Sequence, residues 1–411
     1  MGEVVITGAG TLSPAGIGAS ALWSALTEFD RSLFTPRRAA PGDRVWDAGL
    51  EARVPRFEPA RWIEARLALQ TDIATQYALC ATSLALAQAG IDSRCAQPFE
   101  TGVFIASAAG GFEFTLAEFG NLWRKGARAV SVYESFAWFY AAHNGQASIR
   151  HGVKGDGLTF VGESPAGLDG LAAAVSAIQA GLGRAICGGM DACRDPWSWQ
   201  ALVQSGLVTR RENPDRAYLP FTTDAAGFIP ADGGTILVLE SAEGAAARGV
   251  EPLGSIKGHA SGFSPFGSND DSLSDIIRSA LEAARTPACE IDLIMADGQA
   301  NPIADDAETD ALSSLFGRSG HPPVACPKAR FGRMLSGGGT TDLLLGLLSA
   351  RTGVIPGTYS DTDLSSRTDL AIVRRTTRGR RLRTVLVLAR DSHGLASALV
   401  ATTNQPRRRP T

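Results

Sequence analysis

The sequence predicts an α/β fold built from two similar halves. Two observations carry this: short apolar runs bounded by glycine recur along the chain, and alanine- and leucine-rich stretches of helical length separate them. In the first half the strand-like runs are Val4-Val5-Ile6, Val103-Phe104-Ile105, Ala185-Ile186-Cys187 and Thr235 to Leu239, with helices expected over Tyr77 to Ala89 and Leu168 to Ala180. A polar stretch, Ser241 to Gly249, then marks a boundary. The pattern restarts beyond it, with strands expected near Gly254-Ser255-Ile256, Ile291 to Met295, Ala371-Ile372-Val373 and Thr384 to Leu388. The expected division is 1–249 for the N-terminal half, 250–403 for the C-terminal half and 404–411 for a disordered tail holding the one basic run, Arg407-Arg408-Arg409.

Composition narrows the function classes. A chain of 411 residues, 44% hydrophobic and 20% charged, can bury a sizeable core. A net charge of −3 and a pI near 6.0 argue against nucleic acid or an anionic membrane as the main partner. No uncharged apolar run reaches the roughly 18 residues of a membrane span, and the start, Met1-Gly2-Glu3-Val4, is not a secretory signal, so a cytoplasmic location is expected. Cys80, Cys95, Cys187, Cys193, Cys289 and Cys326 form no C-x-x-C pair and read as reduced thiols, with no metal site.

The richest segment is Phe160-Val161-Gly162-Glu163-Ser164-Pro165-Ala166-Gly167-Leu168-Asp169-Gly170-Leu171. An apolar strand end runs through a sharp turn into a helix of small residues, which would hold the Ser164 side chain at a helix N-terminus, where partial positive charge gathers. That is a nucleophile's place. The spacing is Gly-x-Ser-x-x-Gly rather than the hydrolase Gly-x-Ser-x-Gly, however, and a serine needs a neighbouring base. Two glycine-rich segments are read as structural: Gly8-Ala9-Gly10-Thr11-Leu12-Ser13 lacks the third glycine of a dinucleotide loop, and Gly337-Gly338-Gly339 lacks the lysine of a phosphate loop. No cofactor is expected.

Longer motifs are more specific. Ser107 to Phe114 (SAAGGFEF), Val130 to Tyr140 (VSVYESFAWFY), Gly145 to Gly152 (GQASIRHG), Asp215 to Phe221 (DRAYLPF) and Arg333 to Gly339 (RMLSGGG) resemble the chain length factors, the ketosynthase-beta subunits of bacterial type II polyketide synthases, within the thiolase-fold condensing enzymes. The resemblance implies two duplicated βαβαβαββ-type halves in a five-layered α-β-α-β-α arrangement. In active relatives a cysteine nucleophile and two histidines support malonyl decarboxylation and stabilise the oxyanion. Ser164 stands at the cysteine position, Asp297 of Ala296-Asp297-Gly298-Gln299 at the first histidine position and Arg333 at the second, while the family lysine persists as Lys328.

The chemistry of the replacements agrees with an inactive site. A serine hydroxyl stays protonated at neutral pH, Asp297 would repel a developing oxyanion, and the Arg333 guanidinium cannot act as a base. An Asp297–Arg333 pair filling the former site is expected, with no catalytic residue. Among the histidines, His143, His151, His259, His321 and His393, none is an obvious replacement base. Members of this group usually carry glutamine where Ser164 stands, preceded as here by glutamate, Glu163. Serine reads as a neutral change in a retired site; residual acyl chemistry is the other reading.

The resemblance also implies a role. The chain would form a heterodimer with an active ketosynthase (ketosynthase-alpha), and the growing polyketide, delivered on the phosphopantetheine of an acyl carrier protein, would run along a tunnel between the subunits. By motif match the gate falls on Phe112, Thr115 and Phe119, backed by Trp197, a set resembling that of octaketide-making members. The three and four residue spacing puts the first three on one helix face. The partner interface falls on Tyr133, Glu134, Phe136, His143 and Gln146. Arg124, Lys125 and Arg128 are basic candidates for carrier contact, although most carrier binding is expected of the partner. Two rivals are a serine-dependent acyltransferase or esterase using Ser164 and a freestanding acyl-binding homodimer.

Overall fold

The computed structural model describes residues 2–29, 31–37, 49–92, 97–265, 271–317, 321–358 and 363–403. The expected tail, 404–411 with Arg407 to Arg409, and Cys95 lie outside the described residues.

Ten strands form the main path of the sheet among the described residues: β1 (Val4–Ser13), β2 (Thr101–Ser107), β3 (Gly157–Val161), β4 (Arg184–Asp191), β5 (Gly233–Ser241), β6 (Gly254–Phe263), β7 (Leu293–Met295), β8 (Val324–Ala325), β9 (Thr384–Arg390) and β10 (Leu395–Thr402). The helices that build the layers and the site are α1 (Ile73–Gln88), α2 (Phe112–Lys125), α3 (Ser164–Gln179), α4 (Ser272–Ala283), α5 (Pro302–Phe316) and α6 (Gly338–Thr352). The spatial strand order is β8-β7-β9-β10-β6-β1-β5-β4-β2-β3. The first half reads 3-2-4-5-1 from its outer edge, and the second reads 8-7-9-10-6, the same order with five added. Strand directions repeat too: β2 is parallel to β3 and β4, and β7 to β8 and β9, while β5 and β10 are each antiparallel to both neighbours. Each half is therefore βαβαβαββ. The two sheets join edge to edge where Val4, Val5 and Ile6 face Ile256, Ser255 and Gly254.

Layering follows from which faces are apolar. Helices α3 and α6 pack on each other and touch strands of both halves, so they form the middle layer. Leu168 and Leu171 of α3 and Leu343 and Leu345 of α6 are wholly buried there. Truncating one of them to alanine would cost about 2–5 kcal/mol. Helix α1 covers the outer face of the first sheet, and α4 with α5 covers that of the second, each over its own apolar cluster. The result is five layers, α-β-α-β-α.

Local differences from the expected elements have physical causes. Ala371-Ile372-Val373 makes only one bridge, Ile372 to Val324, before the chain turns off so that Thr377 can pair with Ile355. The polar boundary contains a short helix, Ala242–Ala247, capped by the Ser241 hydroxyl, which accepts from the Gly244 N–H at 3.0 Å. Helix α1 begins a turn earlier than expected because Asp72 caps it, accepting from the Ala74 N–H at 2.9 Å.

Candidate functional site

Strand β3 delivers the chain to Ser164, the first residue of α3. Ser164 is 0% exposed, and its hydroxyl donates to the Leu335 carbonyl at 3.1 Å. The Gly337–Gly339 segment presses on it from the second half. A Cβ on Gly338 would stand 2.7 Å from Ser164 Oγ, and one on Gly337 would stand 2.4 Å from the Gly234 Cα. Those glycines serve close backbone approach, as expected.

The two other replaced positions meet each other. Arg333 Nη2 donates to Asp297 at 2.9 Å (Oδ1) and 3.2 Å (Oδ2), and also to the Arg390 carbonyl. Both residues are buried. Burial pushes the Asp297 carboxyl up, but Arg333 and then Lys328 outweigh it and hold it below the usual carboxylate range. Burial works against the Arg333 cation as well, and Asp297 more than compensates. Backbone geometry sets the meeting: the Arg333 N–H donates to Ile229 and its carbonyl accepts from Ala231, while Glu308 on α5 accepts from the Asp297 and Gly298 N–H groups at 2.8 and 2.9 Å.

Lys328 lies 3.9 Å from Asp297 and forms a 2.5 Å ion pair with Asp342. Burial lowers the lysine's basicity, yet two nearby carboxylates keep it raised overall. Asp342 is raised as well: burial pushes it up to about 6, Asp297 repels it, and Lys328 opposes the shift. Arg333, Lys328, Asp297 and Asp342 thus form a compact set of ion pairs. A permanently protonated arginine cannot act as a base, and a carboxylate that two cations hold below its usual range is a weak one.

His393 reaches the elbow only through Ser392. Its Nδ1 lies 3.0 Å from Ser392 Oγ, which donates to Glu163 at 2.6 Å. The imidazole therefore meets Ser392, and Ser164 keeps its bond to Leu335.

Three of the residues expected at the gate, Phe112, Thr115 and Phe119, lie on α2, and the fourth, Trp197, packs beside them. The Phe112 and Phe119 rings lie 6.5 and 5.6 Å from Trp197, both edge-on, and Trp123 lies 5.5 Å from Phe119. Phe112 and Phe119 are half-buried, while Trp197 is 45% exposed. Thr115 is buried between them in sequence; its hydroxyl donates to the Gly111 carbonyl at 3.3 Å and also contacts Glu134. Burial raises the Glu134 carboxyl, and Thr115 opposes that shift.

The interface expectations divide. Tyr133, Phe136 and Gln146 are half-buried; Tyr133 accepts from Gln70 at 2.9 Å and packs edge-on against Phe136. His143 needs correction: its side chain is buried inside the chain, 3.0 Å from the Thr75 hydroxyl and 3.1 Å from the Met190 carbonyl, so it braces this chain and offers no surface. Arg124, Lys125 and Arg128 are exposed.

Two further buried acids position elements of the site without having been named from the sequence. Asp191 accepts from Ser107, Ala108 and Ala109 at the end of β2 and from Ser336, tying that strand to the glycine segment; burial pushes it up to about 6. Asp72 caps α1 and also accepts from the Phe114 N–H at 2.9 Å, which positions the start of α2. Its place just before an apolar helical run is a readable capping signal. Asp191 has no comparable local signature.

The N-terminal beta-ketoacyl synthase domain model matches residues 1–245, and the C-terminal one matches 254–360. The chain is 41% identical over 401 residues to the actinorhodin polyketide beta-ketoacyl synthase 2 of Streptomyces coelicolor, covering 97% of this chain and 98% of that one. It is 39% identical to the tetracenomycin polyketide synthase ketoacyl synthase beta subunit of Streptomyces glaucescens, covering 97% of each. The ishigamide ketosynthase/chain length factor structure superposes with a TM-score of 0.89 at 23% identity, covering 98% of this chain and all of that one, and so shows the shared fold. Among the described residues no helix is long and apolar enough to cross a membrane. The chain belongs to the beta-ketoacyl synthase family and, within it, to the ketosynthase-beta subunits, the chain length factors of type II polyketide synthases.

Proposed function

We propose that this chain pairs with an active ketosynthase and shapes the tunnel that limits polyketide length, without condensing anything itself. The observation that carries this reading is the buried Arg333–Asp297 pair, which fills the place of acid–base machinery while the aromatic set on α2 is kept. The partner's cysteine would hold the chain, delivered on the phosphopantetheine of an acyl carrier protein. Phe112, Thr115, Phe119 and Trp197 would close the far end, because a close-packed wall resists further extension. A medium, octaketide-like length is part of the reading.

An exposed apolar margin supports the heterodimer. Strand β3 ends the described sheet, with Leu158 53% and Val161 59% exposed, and Val132, Trp138 and Phe139 are also exposed. Unpaired edges and apolar surface of this kind favour a partner. Tyr133, Glu134, Phe136 and Gln146 belong to the neighbouring segment. Buried free thiols at Cys80, Cys187, Cys193 and Cys326 fit a cytoplasmic setting.

The test is mass spectrometry of products from this chain, its ketosynthase, carrier protein and malonyl donor. Product should survive Ser164→Ala and vanish when the partner's cysteine is removed. Loss of product with Ser164→Ala would support a serine acyltransferase instead, and a stable homodimer that ignores any ketosynthase would support the freestanding alternative.

A further inference from the structure

A small cavity of about 10 Å³ lies where three segments meet: Glu51 to Arg53, Pro230 to Asp232 and the helix Pro196–Gln204. Backbone pairing fixes the first two against each other. Ala52 bridges Ala231 in parallel, the Ala52 N–H donates to the Pro230 carbonyl at 3.3 Å, and the Asp232 N–H donates to the Ala52 carbonyl at 2.8 Å, which brings Arg53 and Asp232 to the same cavity. The helix is set by Asp195, whose carboxylate accepts from the Trp197 and Ser198 N–H groups at 3.0 and 2.9 Å. Its next residue, Trp199, forms part of the cavity wall.

Three of the lining residues hold a polar atom that is shielded from solvent and has no hydrogen-bond partner among the described residues: Trp199 Nε1, Arg53 Nε and Asp232 Oδ2. Trp199 is 2% exposed and Asp232 4%. Their charged neighbours do not complete them. Arg53 meets Glu51 through Nη2 at 2.7 Å, and Arg194 Nε stops 3.8 Å from Asp232 Oδ2, beyond hydrogen-bond reach. Buried polar atoms in a folded protein are satisfied by other protein groups or by ordered water.

We propose that this cavity binds one water molecule as a structural ligand that fixes the helix carrying Trp197; its consequence for chain length rests on the gate reading. The lining selects this ligand by its chemistry. The indole and guanidinium N–H groups are donors only and exclude a cation, while Asp232 and Glu51 exclude an anion. Water can accept from Trp199 and Arg53 and donate to Asp232, and a cavity of this size with three polar partners holds one such molecule. Trp199 stands two residues from Trp197 on the same short helix, so the water ties that helix to the 230–232 segment. The same segment is braced from the other side, because Ile229 and Ala231 hold the Arg333 backbone.

The test is nuclear magnetic resonance of the full chain with its ketosynthase, the chain carrying isotope-labelled tryptophan. A cross-peak between water and the Trp199 indole N–H is expected, with the sign that marks dipolar contact rather than exchange; loss of the resonance in Trp199→Phe identifies it. Asp232→Leu, similar in size but without an acceptor, should abolish the cross-peak, and Asp232→Asn, which keeps an acceptor, should retain it. Unmoved resonances of the other indoles show that each variant is folded. A missing cross-peak in the wild type, or one that survives Asp232→Leu, overturns the bound water. In reconstituted products Asp232→Leu should add chains longer by two-carbon units. An unchanged distribution there, beside longer products from Phe119→Ala, overturns the link to Trp197 and leaves the gate standing. Unchanged distributions in both variants refute the gate reading and this link with it, while the cross-peak still decides the water.

Discussion

Arg333 donates through one nitrogen to both carboxylate oxygens of Asp297, so two residues from loops 36 positions apart neutralise each other at the centre of the molecule. Removing one partner leaves a buried charge. Arg333→Met is expected to destabilise the fold by about 3–5 kcal/mol, toward the lower end because Lys328 remains 3.9 Å from Asp297. The double change Arg333→Met/Asp297→Asn should recover most of that loss. Urea unfolding midpoints of the two variants decide it; equal destabilisation would mean that the pair is not the main contribution.

Ser164→Cys should not create a condensing enzyme. The thiol would still lie under Gly338, with a paired carboxylate and a permanently protonated guanidinium where a histidine pair would be needed. The check is condensation by the Ser164→Cys chain with a partner lacking its own cysteine, and any product above background refutes the retired-site reading.

Phe119→Ala should lengthen the products by at least one two-carbon unit, since its ring is half-buried against both Trp197 and Trp123. Trp123, 72% exposed at the rim of the same cluster, provides the contrast: Trp123→Ala should leave length unchanged. Mass spectra of the reconstituted products separate the two, and an unaltered distribution for Phe119→Ala removes that residue from the gate.

Charges on the free edge of β3 should break the heterodimer. Leu158→Asp and Val161→Asp place carboxylates on exposed apolar positions and are expected to leave the fold intact while abolishing co-elution with the ketosynthase. Normal co-elution by size-exclusion chromatography would move the interface elsewhere.

His143 gives a pH signature. Burial lowers its basicity to about 4, below the ordinary value of 6.5, and the bond to the Met190 carbonyl only partly opposes this. Between those two values the unfolded chain binds a proton that the folded chain does not, so stability rises with pH there. The His143 contribution is thus complete above about 6.5 and lost as pH falls toward 4, with a slope of up to about 1.4 kcal/mol per pH unit. Burial raises Asp72 and Asp191, whose contributions run in the opposite direction, so the measurement is the difference between wild type and His143→Gln in urea midpoints across pH 4 to 7. A pH-independent difference would contradict the assignment.

The elements legible in the sequence were those whose signal is local. Short apolar runs located β1, β2, β4, β5, β6, β7 and β9, and the small-residue run after Ser164 located α3, because strand and helix periodicities are written in neighbouring residues. The family resemblance singled out Ser164, Asp297 and Arg333, and the pairing of Asp297 with Arg333 was expected from the cost of burying either charge alone. The aromatic residues of α2 could be named, and their spacing already placed them on one face.

Other features depended on the tertiary arrangement, because they join residues far apart in the chain. Asp191 gathers donors from Ser107 and Ser336 across more than 80 and 140 positions, and no local pattern marks it as the link between β2 and the glycine segment. His143 looked like interface by its neighbourhood, yet contacts with Thr75 and Met190 turn it inward. Residue identity and local periodicity determined the fold class. Only three-dimensional packing decided which buried polar groups satisfy one another, since a hydrogen bond or ion pair depends on distance in space and not on separation along the chain.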